Sequence, residues 1–195
     1  MEFQNVIAKR RMVRNFTDQP IPPATVDRIL RNATHAPSAG FSQGWGFLVL
    51  DTPKDLDRFW RHQWPDDQRS GPHTGIIRAP VVIVPCSNKH AYLDRYAEQD
   101  KGWTDRDEQR WPVPYWHIDA GFASMLMLLT AVDEHLGAVF FGLHFLDGVR
   151  ETFGIPDAFT PIGAIALGHP APDTPSPSLE RGRRGLDDVV HRGNW

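Results

Sequence analysis

The chain has 195 residues, of which 41% are hydrophobic and 23% charged, so its composition is that of a globular domain rather than of a fibrous or disordered chain. Its formal net charge of -3 argues against a general nucleic-acid-binding surface, which requires an excess of basic residues. Cys86 is the only cysteine, which excludes an intrachain disulfide framework. No histidine spacing suggests a metal site, and no apolar run is long enough to cross a bilayer. We therefore expect a cytoplasmic protein without metal, membrane or nucleic-acid partners.

The first part of the chain predicts three helices and one strand from its apolar spacing. A short helix is predicted over residues 3–11, and a second runs from Pro23 to the residue before Pro37, because proline suits a first helical turn. Residues 46–51 predict a buried strand, and Pro53 opens a third helix. This order lacks the regular strand and helix alternation of a parallel sheet.

The middle of the chain combines one clear strand with a tryptophan-rich segment. Residues 62–77 lack periodicity, residues 79–87 predict the clearest strand, and residues 88–117 predict a partly helical excursion from the core. Residues 119–136 are apolar on nearly every face, which predicts a buried helix with Gly137 as its C-cap. Long excursions of this kind often cover a site.

The last part of the chain predicts two strands, a helix and a tail. Residues 138–145 predict a strand, residues 146–153 a short helix that Gly154 ends, and residues 161–168 a last strand. The tail from His169 is rich in proline and arginine and has no core of its own. Because helices and strands intermix without regular alternation, we predict a single-domain α+β sandwich.

The sequence lacks several common enzyme motifs. Two other segments contain a pattern of arginines, glycines and aromatic residues. The sequence has no GxGxxG after a strand, no Walker loop, no HExxH and no GxSxG, so dinucleotide-fold, P-loop, zincin and hydrolase interpretations lose support. Residues 10–16 read RRMVRNF, and residues 36–45 read APSAGFSQGW. These two segments resemble motifs of the nitroreductase family. The resemblance covers nearly the whole chain, because it continues in the apolar helix before Gly137, the ALGHP sequence ending at Pro170 and the RRGLDDVV of residues 183–190.

The resemblance implies a nitroreductase-type α/β sandwich, in which a mostly antiparallel central sheet is flanked by helices. It implies one domain over residues 1–195 and a domain-swapped homodimer, with the C-terminal arm of residues 169–195 crossing to the partner subunit. FMN would lie at the subunit interface. NAD(P)H would deliver hydride to the flavin and leave, and a small electron acceptor, such as a nitroaromatic, a quinone or another conjugated compound, would take its place.

FMN requires a cationic clamp for its phosphate and a flat apolar slot for its ring. Arginine suits the phosphate, because its planar fork donates two hydrogen bonds at once and keeps its charge. Carried over by position, the resemblance places six residues at or near the phosphate and ribityl chain, namely Arg10, Arg11, Met12, Arg14, Arg183 and Arg184.

The resemblance assigns the flavin ring to two other segments. The loop against the ring and the ribityl hydroxyls comprises Pro37, Ser38, Ala39, Gly40 and Gln43, with Gln43 as an amide donor. The backbone amides of Phe141 and Gly142 would approach the N5 region, where a donor stabilises charge that develops on the reduced ring.

Substrate contacts are expected from three aromatic residues. Phe41 stands where the family commonly has asparagine, next to the flavin ring. Trp111 and Trp116, from the tryptophan-rich segment, would form a stacking lid over a flat acceptor. Met12 and Gly44 also depart from the family pattern, which commonly has serine and proline there.

Three alternatives stay open. The APSAGF segment also looks like that of the dimethylbenzimidazole synthase branch, in which reduced FMN reacts with oxygen and is consumed, although Met12 stands where that branch carries aspartate. A deazaflavin-using relative is a second alternative. A non-catalytic flavin-binding or storage protein is the third, and steady oxidation of NADPH with a quinone present would separate an enzyme from such a carrier.

Overall fold

The computed structural model describes residues 1–64 and 74–195. The α-helices in this part of the chain are α1 (Phe3–Lys9), α2 (Pro23–Ala33), α3 (Pro53–Gln63), α4 (Thr74–Ile77), α5 (Lys89–Ala97), α6 (Tyr115–Asp133) and α7 (Leu146–Phe153). The strands are β1 (Trp45–Leu50), β2 (Val81–Ser87), β3 (Gly137–Phe141), β4 (Thr160–Pro161) and β5 (Ala164–Gly168).

Local sequence determines where several of these helices begin and end. Pro23 occupies the first turn of α2, and Pro53 that of α3. The Thr52 hydroxyl caps α3 by accepting a hydrogen bond from the Asp55 amide at 3.2 Å, which satisfies one of the free donors of the first turn. Gly154 ends α7 with a left-handed φ of 62°. The predicted helix positions are confirmed for all three.

The strands form one antiparallel sheet with the order β1-β2-β5-β3, and β4 pairs with the end of β2. The predicted α+β fold with a mostly antiparallel sheet flanked by helices is confirmed. The prediction of a single last strand over residues 161–168 is wrong. The strand is interrupted between Pro161 and Ala164, where Gly163 has a φ of 153°. Between the two pieces, the Ile162 amide donates to the Pro85 carbonyl oxygen at 2.9 Å.

Helices cover both faces of the sheet. Along β2, Val82 and Val84 face one side and Ile83 the other, as the period of two in a strand requires. The first core is built on α3 and α7 and includes Phe59, Trp60, Val82, Val84, Val149 and Ala166. The second is built on α2 and α6 and includes Val26, Ile29, Ile83, Met127, Ala131 and Ile165. Open positions for a ligand therefore lie at the edges and ends of the sheet.

The prediction that the helix before Gly137 is buried on nearly every face is wrong. It begins at Tyr115, and its side chains Ile118, Phe122 and Met125 are 37%, 47% and 46% exposed. Their spacing of four and three residues places them in one stripe along the helix. The periodicity detected the apolar surface correctly but did not distinguish a face packed in the core from one left open.

Gly137 has a different role from the predicted C-cap. The left-handed residue after α6 is His135, with φ of 60°, and Gly137 is already the first residue of β3. A Cβ atom at Gly137 would lie 2.9 Å from Val13 Cγ1. The glycine is therefore needed for the close approach of the arginine-rich segment to β3.

The tail begins against the body of the chain and then leaves it. The Thr17 amide donates to the His169 carbonyl oxygen, and the Ala171 amide to the Asn15 carbonyl oxygen, both at 2.9 Å. From Arg181 to Trp195 every residue is exposed. Within the described ranges, no helix is long and apolar enough to cross a membrane.

Candidate flavin site

A cavity of about 340 Å³ lies along the β3 edge of the sheet. It is lined by Arg14, Trp64, Ile76 and residues 139–144, and its size is within the range of small-molecule sites. A Cβ atom added at Gly142 would meet nothing within 4 Å, so the backbone there is open to a ligand. The predicted ring-contacting residues Phe141 and Gly142 thus line the same cavity as Arg14.

Aromatic rings form one wall of this cavity. The Phe141 ring lies nearly parallel to those of Trp60 and Trp64, at centroid distances of 5.8 Å and 6.0 Å and interplanar angles of 17° and 24°. Trp60 is buried in the first core, so the wall is backed by packed side chains. Such a surface suits a flat conjugated ring.

A buried amide fixes the backbone at the rim of the cavity. Gln63, which is 1% exposed, accepts a hydrogen bond from the His144 amide through Oε1 at 3.0 Å. Its Nε2 is buried and has no hydrogen-bond partner within residues 1–64 and 74–195. Sequence reasoning missed Gln63, because the two residues are 81 positions apart and the helical pattern gives no reason to link them.

Two arginines stand beside this site. The Arg14 side chain is exposed, and its Nη1 reaches the Met12 carbonyl oxygen only at 3.5 Å. Arg78 shares a neighbouring cavity of about 510 Å³ with Arg14, and its Nη2 donates to Asn15 Oδ1 at 3.0 Å. Sequence reasoning missed Arg78, which precedes β2 and is distant in sequence from the arginine motif. The pair brings two cations, which suit a phosphate, to a cavity that Asp173 also lines, and Asp173 Oδ2 accepts a hydrogen bond from the Arg14 amide at 2.8 Å.

The other predicted phosphate-binding residues are not among those that line the β3 cavity. Met12 forms a parallel bridge with Ala138, and Arg10 is half-buried as the residue that follows α1. Arg11 lines a separate cavity beside Gly137 and Pro170. Arg11 and Arg14 therefore line different cavities.

Arg183 and Arg184 are exposed in the tail. Arg184 donates to the Asp188 carbonyl oxygen within its own turn. In the described part of the chain, no hydrogen bond or ion pair joins either residue to the arginines of residues 10–14. Their place at the phosphate stays a prediction.

The loop of residues 38–43, which precedes β1, has an unusual backbone conformation. Ala39–Phe41 form a short 3-10 turn, and three residues have left-handed φ angles, namely Gly40 (62°), Phe41 (56°) and Gln43 (49°). The Phe41 side chain is 74% exposed. A left-handed φ is unfavourable for a bulky residue and easier for asparagine, so the departure at Phe41 adds strain to this loop.

Side chains on α5 and α6 hold that loop. Asp119 Oδ2 accepts hydrogen bonds from the Ala39 amide at 2.9 Å and from the Tyr92 hydroxyl at 2.8 Å. Arg95 Nε donates to the Gly40 carbonyl oxygen at 2.9 Å. Burial, and then the hydrogen bond to Asp119, raise the pKa of Tyr92, so this hydroxyl stays protonated and remains a donor.

Within the loop itself, Ser38 Oγ accepts from the Gln43 amide at 3.0 Å, so Ser38 and Gln43 bond each other. Pro37 is exposed at the start of the loop. Contact of the predicted ring-facing residues with a flavin stays a prediction.

The predicted substrate residues Trp111 and Trp116 belong to an aromatic cluster behind the loop. The Trp111 ring packs against those of Tyr96 and Trp103, at centroid distances of 4.5 Å and 5.6 Å. A Cβ atom at Gly40 would lie 2.6 Å from the Tyr96 ring, so the cluster directly supports the loop. Trp116 is only 5% exposed, and contact of either tryptophan with a substrate stays a prediction.

The loop and the β3 cavity lie at opposite edges of the sheet. The loop leads into β1, and β2 and β5 separate β1 from β3. Three strand spacings place the two edges roughly 14 Å apart, and helices cover both faces between them. One chain therefore does not bring both groups of residues onto one ring.

Burial explains the shifted pKa values of two other side chains, Cys86 and His117. Burial raises the pKa of the Cys86 thiol to about 12, as expected for a small buried side chain in a strand. Burial lowers the pKa of His117, whose Nδ1 lies 2.9 Å from Ser87 Oγ. Among the residues that the structure describes, no group of three histidine, cysteine, aspartate or glutamate side chains could hold a metal ion.

Comparisons with known proteins agree with this architecture. A protein from Methanothermobacter thermautotrophicus, named as an NADH dehydrogenase/NAD(P)H nitroreductase, is 29% identical over 202 residues and covers all of this chain and 88% of the relative. The NADPH-dependent oxidoreductase of Staphylococcus aureus is 24% identical, over 98% of this chain and 73% of its own length.

Solved structures share the fold. The nitroreductase family protein of Streptococcus pneumoniae superposes with a TM-score of 0.78 at 21% identity, over 98% of this chain and all of the other. A nitroreductase from Exiguobacterium sibiricum, solved in complex with FMN, gives 0.75 at 22% identity, over 98% and 97% of the two chains. The model of the nitroreductase family matches residues 7–169, which is most of the sequence, and the chain therefore belongs to the nitroreductase family.

Proposed function

We propose that this protein is an FMN-dependent oxidoreductase that takes hydride from NADH or NADPH and passes it to a conjugated acceptor such as a nitroaromatic or a quinone. Relatives named as NAD(P)H nitroreductase and NADPH-dependent oxidoreductase, and a structural neighbour solved with FMN, support this proposal. When bound, FMN would supply the hydride chemistry, and the protein would supply position, charge and exclusion of water.

The observation that carries the proposal is the β3 cavity, in which an arginine and a flat aromatic wall meet at an open stretch of backbone. Arg14, with Arg78 beside it, would bind the phosphate. Phe141, stacked on Trp60 and Trp64, would provide the apolar side of the ring slot and exclude water. The residues present therefore suit an anionic tail joined to a planar ring.

A second copy of the chain would complete this site. The two groups of predicted flavin contacts lie at opposite sheet edges, and one ring touches both only if each group comes from a different chain. The exposed stripe of Ile118, Phe122 and Met125 on α6 gives a second copy an apolar surface to cover. We propose a homodimer of single-domain subunits on these grounds.

The exposed tail supports the same arrangement. Residues 169–173 are hydrogen-bonded to residues 14–17 of their own chain, and residues 181–195 have no buried member in the chain. An arm that crosses to the partner after Asp173 would bring Arg183 or Arg184 to a phosphate. A cytoplasmic location suits a chain whose single cysteine is buried and reduced.

The test of the proposed function is the cofactor and its reduction. The purified protein is expected to carry a yellow chromophore with the mass of FMN, which NADPH or NADH bleaches without oxygen and which a quinone reoxidises over many turnovers. Bound FMN that neither donor reduces would favour a carrier, and a deazaflavin mass would replace the cofactor assignment. Loss of the flavin in step with oxygen consumption would favour the flavin-consuming reaction.

A further inference from the structure

Asp119 is a buried carboxylate in an apolar helix. It is 3% exposed on α6, and among the described residues its Oδ2 accepts two hydrogen bonds, one from the Ala39 amide and one from the Tyr92 hydroxyl. Ala39 lies 80 positions away in the sequence. A buried polar group is costly unless it is hydrogen-bonded, so these two contacts, one of them to the loop residue Ala39, indicate what Asp119 does in the structure.

Asp119 contacts the loop of residues 38–43, whose backbone conformation is strained. Phe41 and Gln43 have left-handed φ angles, which are unfavourable for residues other than glycine unless the surrounding contacts enforce them. The enforcing contacts come from outside the loop. Asp119 holds the amide of Ala39, Arg95 holds the carbonyl of Gly40 at 2.9 Å, and the Tyr96 ring fills the space beside Gly40.

We propose that Asp119 is a positioning residue, which fixes the 38–43 loop so that the exposed Phe41 ring stands where the electron acceptor binds and selects flat aromatic acceptors. The link to the acceptor rests on the proposed function. The positioning of the loop does not, because it depends only on the contacts within this chain.

The chemistry of the pair of donors makes aspartate suited to this position. Hydrogen bonds to an ionised acceptor are roughly twice as strong as neutral ones. Burial and the hydrogen bond to Asp119 raise the pKa of Tyr92 above its ordinary value, so the hydroxyl remains a donor in the alkaline range as well as at neutral pH. A Cβ atom at Gly44 would lie 2.4 Å from the Tyr92 ring, which ties Tyr92 itself to the end of the loop.

Removal of the carboxylate would loosen the loop at Ala39 without opening the core, while the Arg95 and Tyr96 contacts at Gly40 would remain. The Ala39 amide would lose its acceptor, and the backbone could relax from its left-handed angles at Phe41 and Gln43. The rest of α6 would keep its packing, since Ala120, Ala123 and Met127 remain buried against the second core.

The first test is hydrogen exchange on the apo-protein, which requires no bound flavin. In Asp119→Ala, exchange of the amides of residues 39–43 is expected to accelerate at least about tenfold, while the amides of β2 and β5 stay unchanged. Asp119→Asn keeps an acceptor oxygen and should show a smaller acceleration. Tyr92→Phe, which removes the second donor, serves as the milder variant if Asp119→Ala does not fold.

Ser124→Ala is the matched control, since Ser124 is buried on the same helix and its Oγ donates only to the Ala120 carbonyl oxygen among the described residues. It should leave exchange of the loop amides unchanged. Unchanged loop exchange in Asp119→Ala, or equal acceleration throughout the sheet, would overturn the positioning role.

The second test is a double-mutant cycle that links the loop to the acceptor. Asp119→Ala is expected to raise KM for a naphthoquinone about tenfold in the wild-type background and to change it little in Phe41→Ala, because the two changes act through the same ring. An equal factor in both backgrounds would show a general structural effect and would overturn the link to Phe41. If the protein carries no flavin, the exchange result still decides whether Asp119 positions the loop.

Discussion

The Val13 amide donates to the Ala138 carbonyl oxygen at 3.0 Å, and this bond fastens the arginine-rich segment to the edge strand β3. It places Arg14 beside the backbone of Phe141 and Gly142 in one cavity. The cationic part and the ring-contacting part of the proposed flavin site are therefore connected by contacts between two segments that are distant in sequence.

Arg14 is expected to supply charge to the flavin phosphate. Arg14→Ala should weaken binding of FMN to the apo-protein by about 10- to 100-fold, the usual effect of losing a charge-assisted hydrogen bond. Quenching of flavin fluorescence on titration with apo-protein gives the dissociation constant.

The control for that measurement is Arg28→Ala, which removes an exposed arginine that pairs with Glu134 and lines neither of the two cavities that Arg14 lines. It should leave FMN affinity unchanged. An unaltered dissociation constant in Arg14→Ala would place the phosphate elsewhere.

Gly137 is expected to be required for the contact between Val13 and β3. Gly137→Ala places a Cβ atom 2.9 Å from Val13 Cγ1, and such overpacking typically lowers the free energy of unfolding by about 1–3 kcal/mol. Urea denaturation measures the loss.

Val13→Ala in the same chain makes room for the added methyl group. The double variant Val13→Ala/Gly137→Ala should therefore be more stable than the sum of the two single changes implies. Strict additivity would show that the clash is not the cause.

Much of the scaffold follows from the sequence, because local rules decide it. Pro53 and Gly154 mark helix ends by backbone chemistry alone, and the apolar run of β2 predicts a central strand. The contacts that build the site are different in kind. Gln63 with His144, and Asp119 with Ala39, join residues about 80 positions apart, and no local pattern encodes such a pairing.

Two differences between the prediction and the structure concern α6. The exposed face of α6 was predicted to be buried because apolar spacing describes a surface without naming its partner. Asp119 stands at the predicted start of that helix, where an acidic residue is ordinary and does not indicate a buried contact. In the structure α6 begins four residues earlier, at Tyr115, and the same carboxylate is internal.

The stripe on α6 is expected to form a subunit interface. Phe122→Asp places a charge in the middle of that stripe, and the protein should change from twice its 22.1 kDa chain mass to that of one chain. Light scattering after gel filtration measures the mass.

Ala24→Asp is the control, because Ala24 is exposed in the first turn of α2, where a negative charge is favourable. It should remain dimeric. A dimeric Phe122→Asp protein would show that another surface joins the subunits.

Cys86 makes stability depend on pH in the alkaline range. Its folded-state pKa of about 12 exceeds the ordinary value of 9.0, so the unfolded chain loses the thiol proton first as pH rises above 9. The free energy of unfolding should then fall by up to about 1.4 kcal/mol per pH unit from this group, until the pH reaches the folded pKa.

The measurement is urea denaturation between pH 8 and pH 11 for the wild type and Cys86→Ala. The difference in stability between the two proteins should shrink as pH rises. A constant difference would mean that the thiol titrates alike in both states.

The most direct test of the account is subunit complementation between two variants that each damage one half of the flavin site. Arg14→Ala removes the phosphate contact, and Gly40→Glu deforms the 38–43 loop, because Gly40 has a left-handed φ of 62° and no room beside Tyr96. Each homodimer should bind FMN poorly. If the two halves come from different chains, co-expression should restore tight FMN binding at about a quarter of the sites, since half of random dimers are mixed and each mixed dimer has one intact site. Absence of recovery in isolated mixed dimers would contradict a flavin site shared between two chains.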